Sequence, residues 1–273
     1  MLNNTYIHIP NIGSATEHGI WRCGIKNWED FLENHAMVKI AKNRKRLLLS
    51  GIEESVEQLS SGNHVFFAKR LLPCHHWRAY SHFREKTAYV DIETTGLSPK
   101  YSKITVIGIY NGKETTTYIK GINLREAPLE MAKYKQLITF NGARFDLPFI
   151  EHEFPGFFNH LHIDLMYPLK KLGFGGGLKK VERSLGLERS EETACITGLD
   201  AVRLWDRYER GDDEALRLLI KYNTEDVENL EKIIEMTYPR MIEQEMKGSL
   251  LTCSGKIHTS SVKERILNPR PMG

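Results

Sequence analysis

Asp91 and Glu93 are the first residues in this chain whose spacing suggests chemistry. They interrupt the short β-prone run of Ala88, Tyr89, Val90 and Ile92, which reads as a strand ending at Thr94, Thr95 and Gly96. Side chains two apart on a strand point to the same face, so both carboxylates share one side. Two like charges held that close repel and resist burial. Either the strand simply runs out into a polar loop, or a cation holds the pair. Further acids favour the cation. Asp146 follows Asn141 and Phe145, just beyond an apolar run that ends at Phe140. An acid there also suits the first turn of a helix. Tyr222 and Asp226 are four apart, within a pattern of Ala215, Leu218, Leu219, Leu230, Ile233 and Ile234 at helical spacing. Burying an acid and a tyrosine on such a face is costly unless they have a task.

Four carboxylates without a cysteine or histidine among them suit hard cations that prefer oxygen, Mg²⁺ or Mn²⁺. Two such ions ~3.5–4 Å apart can activate a water and stabilise the leaving oxygen of a phosphodiester. Tyr222, with an ordinary pKa of ~10, is a poor base at neutral pH.

The elements that must position these groups follow from periodicity. Strands are expected over 87–93, 104–110 and 114–120, the last two joined by a hairpin at Asn111-Gly112. A short helix near Glu126–Lys135, a buried strand over Leu137–Phe140, a helix from about Phe145 and a strand over His162–Leu165 come next. The remainder is mostly helical. A doubly wound sheet would need a helical crossover where this chain has the hairpin. The expected fold class is therefore α/β, a mixed sheet flanked by helices. It comprises a small helical N-terminal region (1–86), a central domain (87–240) and a basic C-terminal tail (241–273).

Asp-x-Glu on a strand, Asn-x-x-x-Phe-Asp after a strand and Tyr-x-x-x-Asp on a late helix resemble the three motifs of the DnaQ-like (DEDD) exonucleases, in the variant with tyrosine. His162 to Leu165, Gly176 to Lys179 with Glu182, Leu204-Trp205 and Gly211-Asp212 resemble the YprB-type ribonuclease H-like group, as do Ile9 to Gly13 and Trp77-Arg78. The resemblance covers most of residues 5–235. It implies a ribonuclease H-like fold and a two-metal-ion-dependent 3′–5′ exonuclease acting on single-stranded or 3′-ended DNA or RNA. By the same resemblance Asp91 would bridge both metals, Glu93 and Asp226 would complete one, and Asp146 would hold the other. Leu97 would meet the terminal base. Asn141, Phe145 and Phe149 would be substrate contacts, and the role of Asp164 stays open. Two alternatives share the fold: a nucleic-acid-binding module with little catalysis, and a structure-specific endonuclease.

The charge distribution fits a polyanion partner and also an ordinary solvated surface. Residues 1–86 carry 12 Lys/Arg against 8 Asp/Glu, residues 87–246 carry 21 against 26, and residues 247–273 carry 5 against 1. Ile9 to Gly13 reads as a helix-hairpin-helix-like turn, or as a packed helical hairpin that never meets a phosphate. Lys39, Lys42, Arg44, Lys45 and Arg46 form a basic cluster on a helix that either touches a phosphate backbone or is solvated surface. Cys74, His75, His76 and His82 cluster without the paired spacing of a zinc site. Gly173 to Gly177 reads first as a hinge before a basic helix start, and second as a substrate-contacting loop. No apolar run approaches the ~20 residues of a membrane helix. The four scattered cysteines and the absence of a signal-peptide pattern lead to the expectation of reduced thiols in a cytoplasmic protein.

Overall fold

The computed structural model describes residues 1–254, with side chains described through residue 247. Five strands form one sheet: β1 (Thr87–Thr94), β2 (Ile104–Tyr110), β3 (Thr115–Ile119), β4 (Gln136–Thr139) and β5 (Leu161–Asp164). Their order is β3-β2-β1-β4-β5. β2 runs antiparallel to β1 and β3, whereas β1, β4 and β5 are parallel. The chain turns from β2 to β3 at Asn111-Gly112, where Gly112 takes a positive φ of 88° and Asn111 Oδ1 accepts from the Lys113 and Glu114 amides. This is the ribonuclease H-like mixed sheet expected from the sequence.

Alternation along β1 sorts its side chains into two layers. Ala88, Val90 and Ile92 pack with Phe149, Ile150 and Met131 of the helices on one face. Tyr89, Asp91 and Glu93 face the other way, toward a long helix that crosses β1 and β2. The helices of the N-terminal region are α1 (Ser14–Arg22), α2 (Trp28–Asn34), α3 (Lys42–Ser60), α4 (His64–Arg70) and α5 (Tyr80–Phe83). Within the sheet domain α6 (Ala127–Met131) precedes β4, α7 (Asp146–Glu153) precedes β5, and α8 (Met166–Lys171) follows it. Then come α9 (Leu178–Ser184), α10 (Glu191–Ala194), α11 (Gly198–Tyr208) and the crossing helix α12 (Asp213–Ser254). Thr197 and Asp200 form a reciprocal capping box at the start of α11.

The expected boundaries at 86 and 240 are not seams in the packing. Ile20, Phe31 and Phe67 of the N-terminal helices belong to one apolar cluster with Tyr89, Ile138, Leu161 and Ile233. Arg78, fully buried, pairs with Glu17 at 2.8 Å and with Glu245 of α12 at 2.6 Å. α12 runs unbroken past residue 240, through Pro239, to Ser254. Residues 241–254 of the expected tail are therefore helical, because Met241 is buried and Ile242 and Met246 pack against the same cluster. The rest of that tail lies outside the described residues. The helix expected over 126–135 is shorter than its pattern and ends at Met131. Among the described residues, no helix is long and apolar enough to cross a membrane.

Candidate active site

β1 and α12 bring the first acids together. Asn223 on α12 donates to the Asp91 carboxylate at 2.9 Å and to the Asp91 carbonyl at 3.2 Å, fixing helix to strand. This approach requires Gly108, which pairs with Asp91 across β2. A Cβ at Gly108 would lie 2.1 Å from Asn223 Oδ1 and 3.2 Å from Val227 Cγ1. One turn after Tyr222, Asp226 projects onto the same face. Asp91, Glu93 and Asp226 then place one carboxylate oxygen each within 4.8 Å of one another. Glu93 and Asp226 are buried, and Asp91 is partly so.

Asp146 opens α7 beyond the end of β4 and is buried, with Oδ1 lacking any hydrogen-bond partner. Its position is set from β5. Asp164 accepts from the backbone amides of Asn141 at 2.7 Å, Ala143 at 3.1 Å and Met166 at 3.1 Å. Those bonds hold Asn141 at a φ of 63°, a left-handed conformation uncommon outside glycine. Gly142 follows with its α-carbon packed onto Thr139, where a Cβ would come within 2.1 Å of Oγ1.

Burial and mutual repulsion raise all four carboxyls. Asp91 is pushed well up by burial, then by Asp226, Asp146 and Glu93. Burial raises Glu93 as well, reinforced by Asp226 and Asp146. Asp146 rises to about 7, chiefly from burial. Asp226 rises only to about 6, because Arg189 pulls it back. Arg189 forks onto Glu182 at 2.7 and 2.6 Å and also donates to Asp226. Asn229 holds Glu182 from α12 at 2.9 Å. The Tyr222 ring has the Lys179 ammonium at 5.0 Å and the Arg189 guanidinium at 5.5 Å. Burial and the Asp226, Glu93 and Asp91 charges push its phenol far above the usual range, so it stays neutral.

Arg189 offsets Glu182, which leaves four carboxylates. Asp91, Glu93 and Asp226 form an all-oxygen donor set, and Asp146, buried outside that trio, adds an orphaned Oδ1. The residues fit Mg²⁺ or Mn²⁺. A second trio, Glu17, His18 and Glu245, also brings ligand atoms together, but Arg78 already stands between its carboxylates. Cys74, His75, His76 and His82 do not converge into a metal group among the described residues. His76 instead accepts from the His162 amide at 3.1 Å and sits 3.2 Å from the Leu71 carbonyl.

The expected substrate contacts divide. Leu97 is 81% exposed in the loop after β1. Asn141 and Phe145 are half-buried beside Asp146. Phe149 is 2% exposed and packs under the sheet, so it offers no stacking surface. Arg189, Asn223 and Gly108 shape the site without belonging to any of its acid motifs. Gly108 carried a readable signal, since an isolated glycine in an apolar strand marks a close approach. Arg189 carried none, lying 37 residues before Asp226 in a connecting loop.

No curated protein matches the chain. Among solved structures, it aligns with a family B DNA polymerase from Pyrobaculum calidifontis at 14% identity and a TM-score of 0.47, over 59% of this chain and 25% of the polymerase. It thus spans about a quarter of that protein. Brucella melitensis NrnC with bound Mg²⁺ aligns at 18% identity and a TM-score of 0.41, over 68% of this chain and 94% of NrnC. NrnC bound to pGG aligns at 19% identity and a TM-score of 0.41, over 68% and 93%. A family model described as the RNase_H superfamily matches residues 88–238, more than half of the 273 residues, and the chain belongs to that superfamily.

Proposed function

We propose that the protein is a two-metal-ion-dependent 3′–5′ exonuclease of the DnaQ-like, DEDD type, acting on DNA or RNA. The observation that carries this reading is the convergence of Asp91, Glu93 and Asp226 within 4.8 Å, with Asp146 buried nearby and raised by burial, Asp164 and Asp226. Divalent ions, when bound there, supply charge neutralisation and water activation at a scissile phosphate. The chain's own residues do the rest. Asp91, Glu93, Asp146 and Asp226 are the ligands. Asn223 and Arg189 orient two of them, each occupying one oxygen of Asp91 or Asp226 and leaving the other free. Neutral Tyr222 donates a hydrogen bond toward the attacking water rather than removing its proton. The exposed Leu97 provides an apolar wall for a terminal base, and Asn141 and Phe145 flank the path at Asp146.

The test is digestion of a 5′-labelled oligonucleotide, the same strand with a 3′-phosphate, and a closed circle. The expected result is a ladder shrinking from the 3′ end, slowed by the block. It should be abolished by EDTA and reduced by at least about 10²-fold in Asp91→Asn and Asp226→Asn, a loss of ~2.7 kcal/mol of transition-state stabilisation. Turnover near the wild-type rate in either folded variant overturns the assignment. Rapid cutting of the circle replaces exonuclease by endonuclease with the same acids.

A further inference from the structure

Beside the acid cluster, on the same edge of the sheet, a cavity of about 410 Å³ opens between the N-terminal region and the end of β5. Leu72, Cys74 and Trp77 form one wall, Tyr167 another, and Ala143 and Asp164 close the side nearest the acids. Its mouth exposes large apolar groups, with Leu72 67% and Tyr167 37% accessible. Nothing in the chemistry described above uses it.

We infer that this cavity binds a nucleobase of the strand being cleaved, upstream of the nucleotide that is removed. The inference rests on the exonuclease reading and adds a substrate subsite to it. Position is the first argument. β1, β4 and β5 are parallel neighbours, so their C-terminal ends share one edge. Two strand spacings separate β5 from β1, roughly 10 Å. That distance suits a neighbouring nucleotide rather than the one at the acids. Leu97 lies in the loop between β1 and β2, on the opposite side of β1. A strand with its terminal base at Leu97 and its phosphate at the acids continues toward β5.

Continuity is the second argument. Ala143 in the cavity wall belongs to the loop that Asp164 holds in place, and that loop leads directly into Asp146. Chemistry is the third. The volume falls within the range of small-molecule sites, and aromatic faces bind any base by stacking. Asp164 turns its oxygens to three backbone amides. Exposed Arg144 follows Ala143. Exposed Lys170 and Lys171 follow Tyr167 and Pro168 on α8, and Lys171 lines the adjoining groove with Trp77. Those cations suit the phosphates on either side of a bound base. The N-terminal region thereby completes a subsite that the sheet domain alone would leave open.

Cys74 gives a direct probe, being an exposed free thiol in the cavity wall. In full-length protein with Cys23, Cys195 and Cys253 replaced by serine, alkylation of Cys74 by N-ethylmaleimide is timed in EDTA. A short single-stranded oligonucleotide should slow it at least fivefold, and a mononucleotide should not. In the otherwise unaltered protein, Tyr167→Ala and Leu72→Ala should raise KM at least fivefold for an oligonucleotide while leaving KM for a dinucleotide within twofold. A protein that cleaves and binds oligonucleotides but leaves Cys74 unprotected and both KM values unchanged overturns the subsite alone. A protein that neither cleaves nor protects Cys74 overturns the exonuclease reading and the subsite with it. Protection that rises with protein concentration, and not with oligonucleotide, assigns the cavity to a second copy of the chain and also overturns it.

Discussion

Replacing Asp146 by Asn should make the metal-free protein more stable at alkaline pH. The Asp146 carboxyl is raised from 3.8 to about 7 in the folded chain. Between those values the folded state binds a proton that the unfolded chain has lost, so stability falls as pH rises. The contribution is intact below about pH 4 and gone above about pH 7. At 1.36 kcal/mol per pH unit, the charged carboxylate costs about 1.6 kcal/mol at pH 5 and about 4 kcal/mol at pH 8. Asparagine carries no charge at either pH. The stability difference between variant and wild type should therefore grow by about 3 kcal/mol from pH 5 to pH 8, a Tm change of ~6–12 °C for a chain of this size. Measuring a difference removes the opposing effect of the buried histidines. His8 and His162 are pushed down to about 3 by burial, which destabilises both proteins alike at acid pH. The assay is urea denaturation followed by circular dichroism in EDTA at both pH values. Saturating Mg²⁺ should reverse the order at pH 8, because the wild type then has the fuller ligand set. An Asp146→Asn variant no more stable than wild type at pH 8 in EDTA, with no growth from pH 5, refutes the reasoning.

Arg189→Met leaves Glu182 and Asp226 without their cation, and losing one partner of a buried pair costs ~3–5 kcal/mol. Denaturation midpoints in EDTA should show that loss, and Mn²⁺ should recover part of it; an unchanged midpoint sinks the network. Asp164→Ala frees two amides of the Asn141 loop and that of Met166, and should lower kcat by roughly 10²-fold through misplacement of Asp146, with the fold retained. Near-normal kcat in that variant would remove Asp164 from the positioning of Asp146. Gly108→Ala forces α12 away from β1 and should cost ~1–3 kcal/mol of stability. It should also lose activity at temperatures where it remains folded, and full activity there would show that α12 has slack.

The strand–strand–strand order and the acid positions were legible because they are local. Alternation puts Asp91 and Glu93 on one face, and helical spacing puts Tyr222 and Asp226 on another. What was not legible depends on how faces meet. Phe149 lies close to Asp146 in sequence, yet it packs into the apolar layer with Val90, Ile92 and Ile150. Asp164 ends a strand like any polar residue, and only the folded Asn141 loop supplies two of its three donors. Residues 86 and 240 have ordinary composition on both sides, and one apolar cluster draws on residues before and after each. Arg189 reaches Asp226 only after α9 and its following loop fold back against α12.

α12 has one further consequence. Asp226 and Glu245 stand on the same unbroken helix, 19 residues or about 28 Å apart. One end is laid against β1 by Asn223, and the other is bolted to the N-terminal region by Arg78. The helix is thus a beam supported at two points, with the proposed metal ligand Asp226 near one support. A disturbance at the distant support, such as loss of the Arg78 charge, would be carried along the beam as a tilt or slide at Asp226. Residues that never approach a substrate would then set the alignment of those that do.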